Sequence, residues 1–465
     1  MSDDTIVYHS NQFFVSLEDS IMEDTILAFL EDLNAVEIWK SGKLNMALWE
    51  VIGFPFTTGD GETIIDIHDA ISRSKRKTKI HNASLNIQQT INSALAFEGA
   101  TCFDITQLSK VQGDSSEIKI SILDTGISDI SDNSTANYNY NLTNYSGYDY
   151  IHNDAIPDDE NGHGTHLAGI IHSITHQHIP TQNRITFDIR KTHDAAGQAF
   201  LSTIVMALLD ALDADANIVN MSFGYQGVYH DSLFFPLQVV IEEAWQNKVL
   251  VVIAGGNGTI NNDLADTIAL PASFPTNNIL SVASLDCGNN LSLFSNYGGA
   301  SVDLAVLGEN IPGPNLASGL VEYSGTSQAA ALITAVSALK ATYIVQYTPE
   351  KVICPLLQTA EHLFELADKV LADGKLNFDG LFLVSDSTCL QTGFHCNKNY
   401  TGSDKLTGTM ASPMMTETNL QIQSDQNLEL GSLVTLDALQ STTLLPGFEV
   451  TLGATLQIRS NGCEE

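Results

Sequence analysis

The chain has 465 residues, room for several domains, and its 43% hydrophobic content supports a sizeable core. Twenty Lys and Arg against 55 Asp and Glu give a formal net charge of −35. Such a surface repels nucleic acid and anionic membrane, which argues against both as partners, and no stretch is long and apolar enough to predict a transmembrane span.

Residues 1–95 read as a small α+β unit. Gln12 to Leu17 is strand-like, and Glu23 to Leu33 carries the helical spacing of Ile26, Leu27, Leu30 and Leu33. A hairpin through Ser41-Gly42, a second helix near Thr63–Ser72 and a last strand from Lys79 to Ile87 complete the order β-α-β-β-α-β. That is the order of a split βαβ, ferredoxin-like fold. Ser72 to Lys79 holds five basic residues, which suit either a solvated helix end or a patch attracted to an acidic partner domain. The N-terminus, Met1-Ser2-Asp3-Asp4, lacks the basic-then-apolar profile of a secretory signal.

From about Asp114 short apolar strands alternate with helices. The strands are Ile118 to Leu123, Ile185 to Ile189, Ile218 to Met221 and Val249 to Ile253. The helices fall near 164–175, 201–214, 235–247 and 328–345. This alternation predicts an α/β parallel sheet covered on both faces, with functional residues at the carboxyl ends of strands. Residues 386–418 have linker composition, and 419–465 alternate in short runs punctuated by glycine, which predicts a small all-β module. No Cys-x-x-Cys pair is present, so zinc is not indicated. Cys389 and Cys396 are either a disulfide pair or buried free thiols.

Four glycine-bracketed segments carry chemistry. Asp124-Thr125-Gly126 places a carboxylate at a strand end, and Asn161-Gly162-His163-Gly164-Thr165-His166 places a histidine at a helix start. Ala254-Gly255-Gly256-Asn257-Gly258 puts a side-chain amide in a loop after a strand. Ser324-Gly325-Thr326-Ser327 puts a hydroxyl at a helix N-terminus, where unpaired N–H groups and the helix dipole would stabilise an oxyanion. Each alone has a plain structural reading as a strand end, a turn or an N-cap. Together they supply a nucleophile, a base, an orienting acid and an oxyanion donor.

With these segments the chain resembles the subtilisin-like serine peptidases over roughly residues 105–385. Gly147 to Tyr150, Asn220 to Gly224, Phe294 to Gly298 and Gly374 to Asn377 extend the likeness. The resemblance implies a serine endopeptidase in which Ser327 attacks, His163 is the base, Asp124 orients it, and Asn257 with the Ser327 N–H forms the oxyanion hole. It implies that Ser222-Phe223-Gly224 and the segment around Gly197 pair with substrate backbone. It also implies a primary pocket walled by Ser222–Gly224 and by Ala254, Gly255 and Gly256, floored near Ala269. With no charge among these residues, medium or large apolar P1 side chains are expected. The first 95 residues are similar to the family's inhibitory propeptide, an intramolecular partner removed by self-cleavage near residues 88–105. The last forty resemble short β modules at the C-terminal ends of surface and secreted proteins of the Bacteroidetes group.

Gln328 stands where the family usually has methionine and Ala331 where it has proline. No metal is expected at the chemical step. Asp158, Asp159 and Glu160 are candidates for structural calcium, although solvated loop acids are the plainer reading. His172 and His176 have metal-pair spacing but fit an ordinary helix surface. Protein or peptide substrates are the expected partners. The propeptide and tail point to an extracellular or surface location, and the missing signal points to a dedicated cytosolic processing peptidase. A non-catalytic surface binding protein on the same scaffold is the alternative from another class.

Overall fold

The computed structural model describes residues 8–18, 23–76, 79–91, 117–128, 142–178, 184–226, 231–264, 267–316 and 319–384, with short strands between 409 and 459. The N-terminal elements are β1 (Tyr8–Leu17), α1 (Glu23–Asp32), β2 (Ala35–Ser41), β3 (Met46–Val51), β4 (Phe56–Thr57), β5 (Thr63–Ile64), α2 (Ile67–Lys75) and β6 (Ile80–Thr90). Four of these strands form an antiparallel sheet in the order β6-β1-β3-β2. Consecutive residues Phe13, Phe14 and Val15, or Met46 to Trp49, are all buried, where a half-solvated strand would alternate. The sheet is covered on both faces, which accounts for this.

Next come β7 (Ile118–Asp124), β8 (Tyr145–Asp149), α3 (His163–His178), β9 (Ile185–Lys191), β10 (Gln198–Phe200), α4 (Leu201–Asp213), β11 (Ile218–Met221), β12 (Tyr225–Gln226) and α5 (Asp231–Gln246). They are followed by β13 (Leu250–Ala254), β14 (Ala269–Leu270), β15 (Ile279–Leu285), β16 (Leu304–Leu307), β17 (Ile311–Pro314), β18 (Leu320–Tyr323), α6 (Thr326–Ala341), α7 (Glu350–Gln358), β19 (Glu361–His362) and β20 (Gly374–Lys375). Nine strands form one sheet in the order β19-β20-β16-β15-β13-β11-β7-β9-β8, parallel throughout except at β19. The chain adds β8 and β9 on one side of β7, then β11, β13, β15 and β16 on the other. The order therefore reverses at β7, the place where open α/β sheets carry their sites. Helix α6 is buried along its whole length. Its alanines and Ser337 keep it thin enough to lie between α3 and the sheet.

One core cluster joins residues of β1, β3 and β6 to residues of α4 and α5. The second face of the N-terminal sheet thus lies on these two helices. Helix α4 begins at Phe200, which provides no side-chain cap. The buried Asn86 of β6 supplies one instead, its Oδ1 accepting from the Ser202 N–H at 3.0 Å while its Nδ2 donates to Ser202 Oγ at 3.0 Å. Asn86→Ala is expected to weaken this seating by about 1–2 kcal/mol, read as faster amide exchange at the start of α4.

Three of the five basic residues of the stretch, Arg73, Arg76 and Lys79, are paired within the N-terminal elements. Arg73, with only 7% of its side chain exposed, bonds Asp32, Asp60 and Glu62. Arg76 bonds Glu62, and Lys79 bonds Glu18. All these acids belong to the N-terminal elements, and carboxylates so near in the same subunit of structure outcompete a distant acidic surface. Lys77 lies outside the described residues. Among the described residues an ion pair between Lys43 and Glu243, at 2.7 Å, reaches the main body.

The tail shows three stacks of parallel strands, in which Met414–Thr418, Leu433–Ala438 and Thr455–Arg459 form the longest. Cys389 and Cys396 lie outside the described residues. Cys287 is disulfide-bonded, and Cys354 is buried and in no disulfide.

Candidate active site

Asp124 ends β7 and is 1% exposed. Its Oδ1 accepts from the Thr125 N–H at 2.8 Å and from His163 Nδ1 at 2.7 Å. That bond assigns the imidazole proton to Nδ1 and leaves Nε2 as the acceptor a general base needs. Burial disfavours the imidazolium, but the charge and hydrogen bond of Asp124, with the charge of Asp159, outweigh it and hold His163 above the usual 6.5. Gly164 presses the start of α3 onto Thr125 and Gly126 so closely that a β-carbon would strike the Gly126 carbonyl. This contact sets the depth at which His163 meets Asp124.

The start of α3 is capped by Asp159. Its Oδ1 accepts from the N–H groups of Asn161 and Gly162, and its Oδ2 accepts from Thr165 N–H and Oγ1, all between 2.6 and 2.9 Å. Both oxygens are engaged by protein donors. The rings of His172 and His176 stack on each other at 5.4 Å. Among the described residues no group of three or more His, Cys, Asp or Glu is placed to hold a metal.

Ser327 is the second residue of α6, so its N–H has no partner within the helix. Its Oγ donates to the Ser222 carbonyl at 3.0 Å. Asn257 accepts on its Oδ1 from Thr326 N–H at 2.9 Å and Thr326 Oγ1 at 2.8 Å. Anchored by its carbonyl, the amide turns its NH₂ toward Gly325, ahead of the serine. Two donors therefore converge next to the hydroxyl.

The loop carrying Asn257 is clamped by Asn296. Asn296 Oδ1 accepts from Gly258 N–H at 2.8 Å, while Nδ2 donates to the Gly255 carbonyl at 3.1 Å and to Asn262 Oδ1 at 3.0 Å. Gly256, at φ +110°, lies so close to that amide that a side chain has no room. The sequence marked Asn296 only as part of the family resemblance; a buried asparagine in a glycine-flanked run was its only other signal.

The expected recognition segments also come together. Ser222 is locked to the serine helix by its Oγ, which donates to the Ser327 carbonyl at 3.3 Å. Gly224 packs on the Leu270 carbonyl, and β12 pairs with β14 so that Gln226 faces Ala269. The Gln226 amide lies against Gly256 and Gly258, so it adds a neutral polar group, missed in the sequence, between the walls formed by 222–224 and 254–256. Phe223 packs against His193 at 4.6 Å between ring centres. Burial lowers His193 to about 4 and His166 to about 3, so both stay neutral where His163 works. Gln328 is fully buried, and neither amide atom has a partner among the described residues.

Across the cleft, Gly197 and β10 are already paired. Strand β6 runs antiparallel to β10 with Gln89 opposite Ala199 and Thr90 opposite Gln198, and the Ile91 N–H donates to the Gly197 carbonyl at 2.7 Å. Gly197 lies beside Asn161, whose Oδ1 accepts from the His163 N–H. The N-terminal sheet thus delivers its last strand to the edge beside the start of α3, where His163 lies.

The chain is similar to known proteins in sequence and in fold. The Subtilase family model matches residues 115–427. Thermitase from Thermoactinomyces vulgaris is 30% identical over 227 residues, covering 48% of this chain and 75% of thermitase. A thermophilic serine proteinase from Bacillus sp. (strain AK1) is 32% identical over 201 residues, 42% of this chain and 46% of that protein, so this chain spans less than half of it. Among solved structures, the epidermin leader peptide processing serine protease of Staphylococcus aureus shares the fold. Its TM-score is 0.63 at 18% identity, over 81% of this chain and 100% of that one. Fervidolysin from Fervidobacterium pennivorans also has a TM-score of 0.63, at 16% identity, over 83% and 62%. The family match covers more than half of the sequence and spans Asp124, His163, Asn257 and Ser327: this chain belongs to the subtilase family.

Proposed function

We propose that the protein hydrolyses peptide bonds through an acyl-enzyme on Ser327 and is made as a self-processing zymogen. The observation that carries this reading is the buried Asp124–His163 hydrogen bond, supported by a serine in the first turn of α6 whose N–H has no helical partner and by Asn257, which bonds the adjacent Thr326. A substrate strand binds between Gly197–Ala199 and Ser222–Gly224 by main-chain hydrogen bonds. Ser327 Oγ turns from the Ser222 carbonyl to His163 Nε2, gives up its proton and attacks the carbonyl carbon. The Asn257 amide and the Ser327 N–H hold the oxyanion, and His163 passes the proton to the leaving amine. Water then repeats the sequence on the ester. Asp124 keeps the ring in its Nδ1–H tautomer throughout.

Residues 1–95 act as a ferredoxin-like inhibitory propeptide, 105–385 as the catalytic domain, 386–418 as a linker and 419–465 as a β module serving an extracellular or surface protein. The β6–β10 pairing supports the propeptide role, since a strand seated on the recognition edge excludes substrate there. Self-cleavage falls near residues 88–105. The chemical step needs no metal. The neutral walls around Ala269 and Gln226 favour medium or large apolar P1 side chains. A peptide library is expected to be cut mainly after Leu, Met, Phe or Tyr; equal cutting after Arg or Asp would reject that preference.

A second reading, a peptidase dedicated to one processing substrate, draws on the leader-processing protease that shares this fold over most of the chain. Cleavage restricted to a single peptide in the library would favour it. Labelling by a fluorophosphonate that is lost in His163→Ala separates both readings from a non-catalytic binding protein.

A further inference from the structure

Lys191, the last residue of β9, has none of its side chain exposed, a rare place for an ammonium unless it is fully paired. Its three donors meet three oxygens: the Asp158 carbonyl at 2.6 Å, Glu160 Oε2 at 3.1 Å and Asp149 Oδ2 at 3.3 Å. Asp149 is fully buried too, and its Oδ1 accepts from the N–H groups of Ile151 and His152. Its Oδ2 also meets His152 Nδ1 at 2.9 Å. The ammonium therefore joins the loop after β8 to the loop immediately before His163.

The placement matters for the triad. In the sheet register Lys191 lies between Asp149 of β8 and Asp124 of β7. The loop it holds is fixed on its other side by β7's own continuation. There Ile127 N–H donates to the Pro157 carbonyl at 2.8 Å and Asp159 N–H donates to the Ile127 carbonyl at 3.2 Å. Asp159 then caps the helix that starts with His163. These links from the sheet toward the base run through residues 157–162, beside the direct bonds of Asp124 and Thr125 to the start of α3, and Lys191 is the cation that holds them. A carbonyl and two carboxylates are also the donors that calcium takes.

We propose that Lys191 is a positioning residue for His163, a built-in ammonium that ties the loop ahead of the histidine to the sheet where a bound cation would otherwise be required. The inference rests on the peptidase reading above but concerns a residue that touches neither substrate nor the reacting atoms. A displacement of the base by about 1 Å costs on the order of a hundredfold in rate. The full chain carrying Lys191→Met is therefore expected to lose roughly ten- to a hundredfold in kcat per fluorophosphonate-titrated site, with KM within about threefold of wild type.

Lys191→Ala leaves the three oxygens facing an opening at whose edge Glu160 is half exposed. Millimolar calcium is expected to raise kcat per site of Lys191→Ala about tenfold more than it raises that of wild type. Unchanged kcat per titrated site in both variants would overturn the proposal, as would a loss that calcium restores no better than it does in wild type. If the lysine variants do not fold, Glu160→Gln removes one charged acceptor while leaving the ammonium paired. It should lower kcat per site by about three- to tenfold, and no change there would count equally against the proposal. A wild-type chain that neither titrates nor turns over would instead reject the peptidase reading itself.

Discussion

Ser327→Ala is expected to leave the full-length chain uncut and to abolish turnover, a loss of about 10⁶-fold as in subtilisin when its nucleophile is removed. The Ser327 hydroxyl is the group assigned to form the ester, and its removal disturbs little else. Its one hydrogen bond goes to the Ser222 carbonyl, while the helix start, Thr326 and Asn257 are held by other contacts. The variant should therefore fold with β6 still seated on β10. Gel electrophoresis of the purified variant beside wild type reads the result directly. A variant that matures normally when expressed alone would show that another peptidase does the cutting, and would reject self-processing without touching the assignment of the triad.

Asp124→Asn is expected to lower kcat by about 10⁴-fold near neutral pH, because an amide at this position stabilises the wrong imidazole tautomer. It should also move the pH profile. In the wild type His163 titrates above 6.5: burial works against the imidazolium, and Asp124, by charge and hydrogen bond, more than reverses it. The base works when neutral, so activity rises with pH and its acid limb lies above 6.5. With the carboxylate gone, burial is opposed only by the charge of Asp159, and the acid limb should shift to lower pH. The stability effect has the opposite sense. A folded-state pKa raised above the unfolded value stabilises the protein fully below the unfolded pKa, and the contribution fades as pH rises through the folded pKa. The variant should thus fall furthest behind wild type in melting temperature at mildly acid pH and recover ground in alkali. An acid limb that stays in place would mean that Asp124 does not set the titration of His163.

The sequence alone singled out the candidate residues of the site. Asp124, His163, Asn257 and Ser327 were readable because each needs a special backbone: a strand end, a helix start or a tight loop, all marked by glycine. Hydrophobic periodicity likewise gave the α/β alternation and the order of the N-terminal elements, since apolar spacing is a local property. What only the tertiary structure decided concerns partners distant in the chain. The destination of the basic stretch is one case, because Arg73 has carboxylates on offer from Asp32, Asp60 and Glu62, and charge in a sequence carries no direction. The cap of α4 is another, since its acceptor comes from Asn86, 116 residues before Ser202. The acids before His163 read as loop charge, yet Asp159 caps the histidine helix and Glu160 meets Lys191. A lysine at the end of an apolar strand looks like a surface residue until the sheet register sets it between Asp149 and Asp124. Motifs can be read locally because backbone geometry is local, whereas the pairing of buried charges depends on which strands the fold makes neighbours.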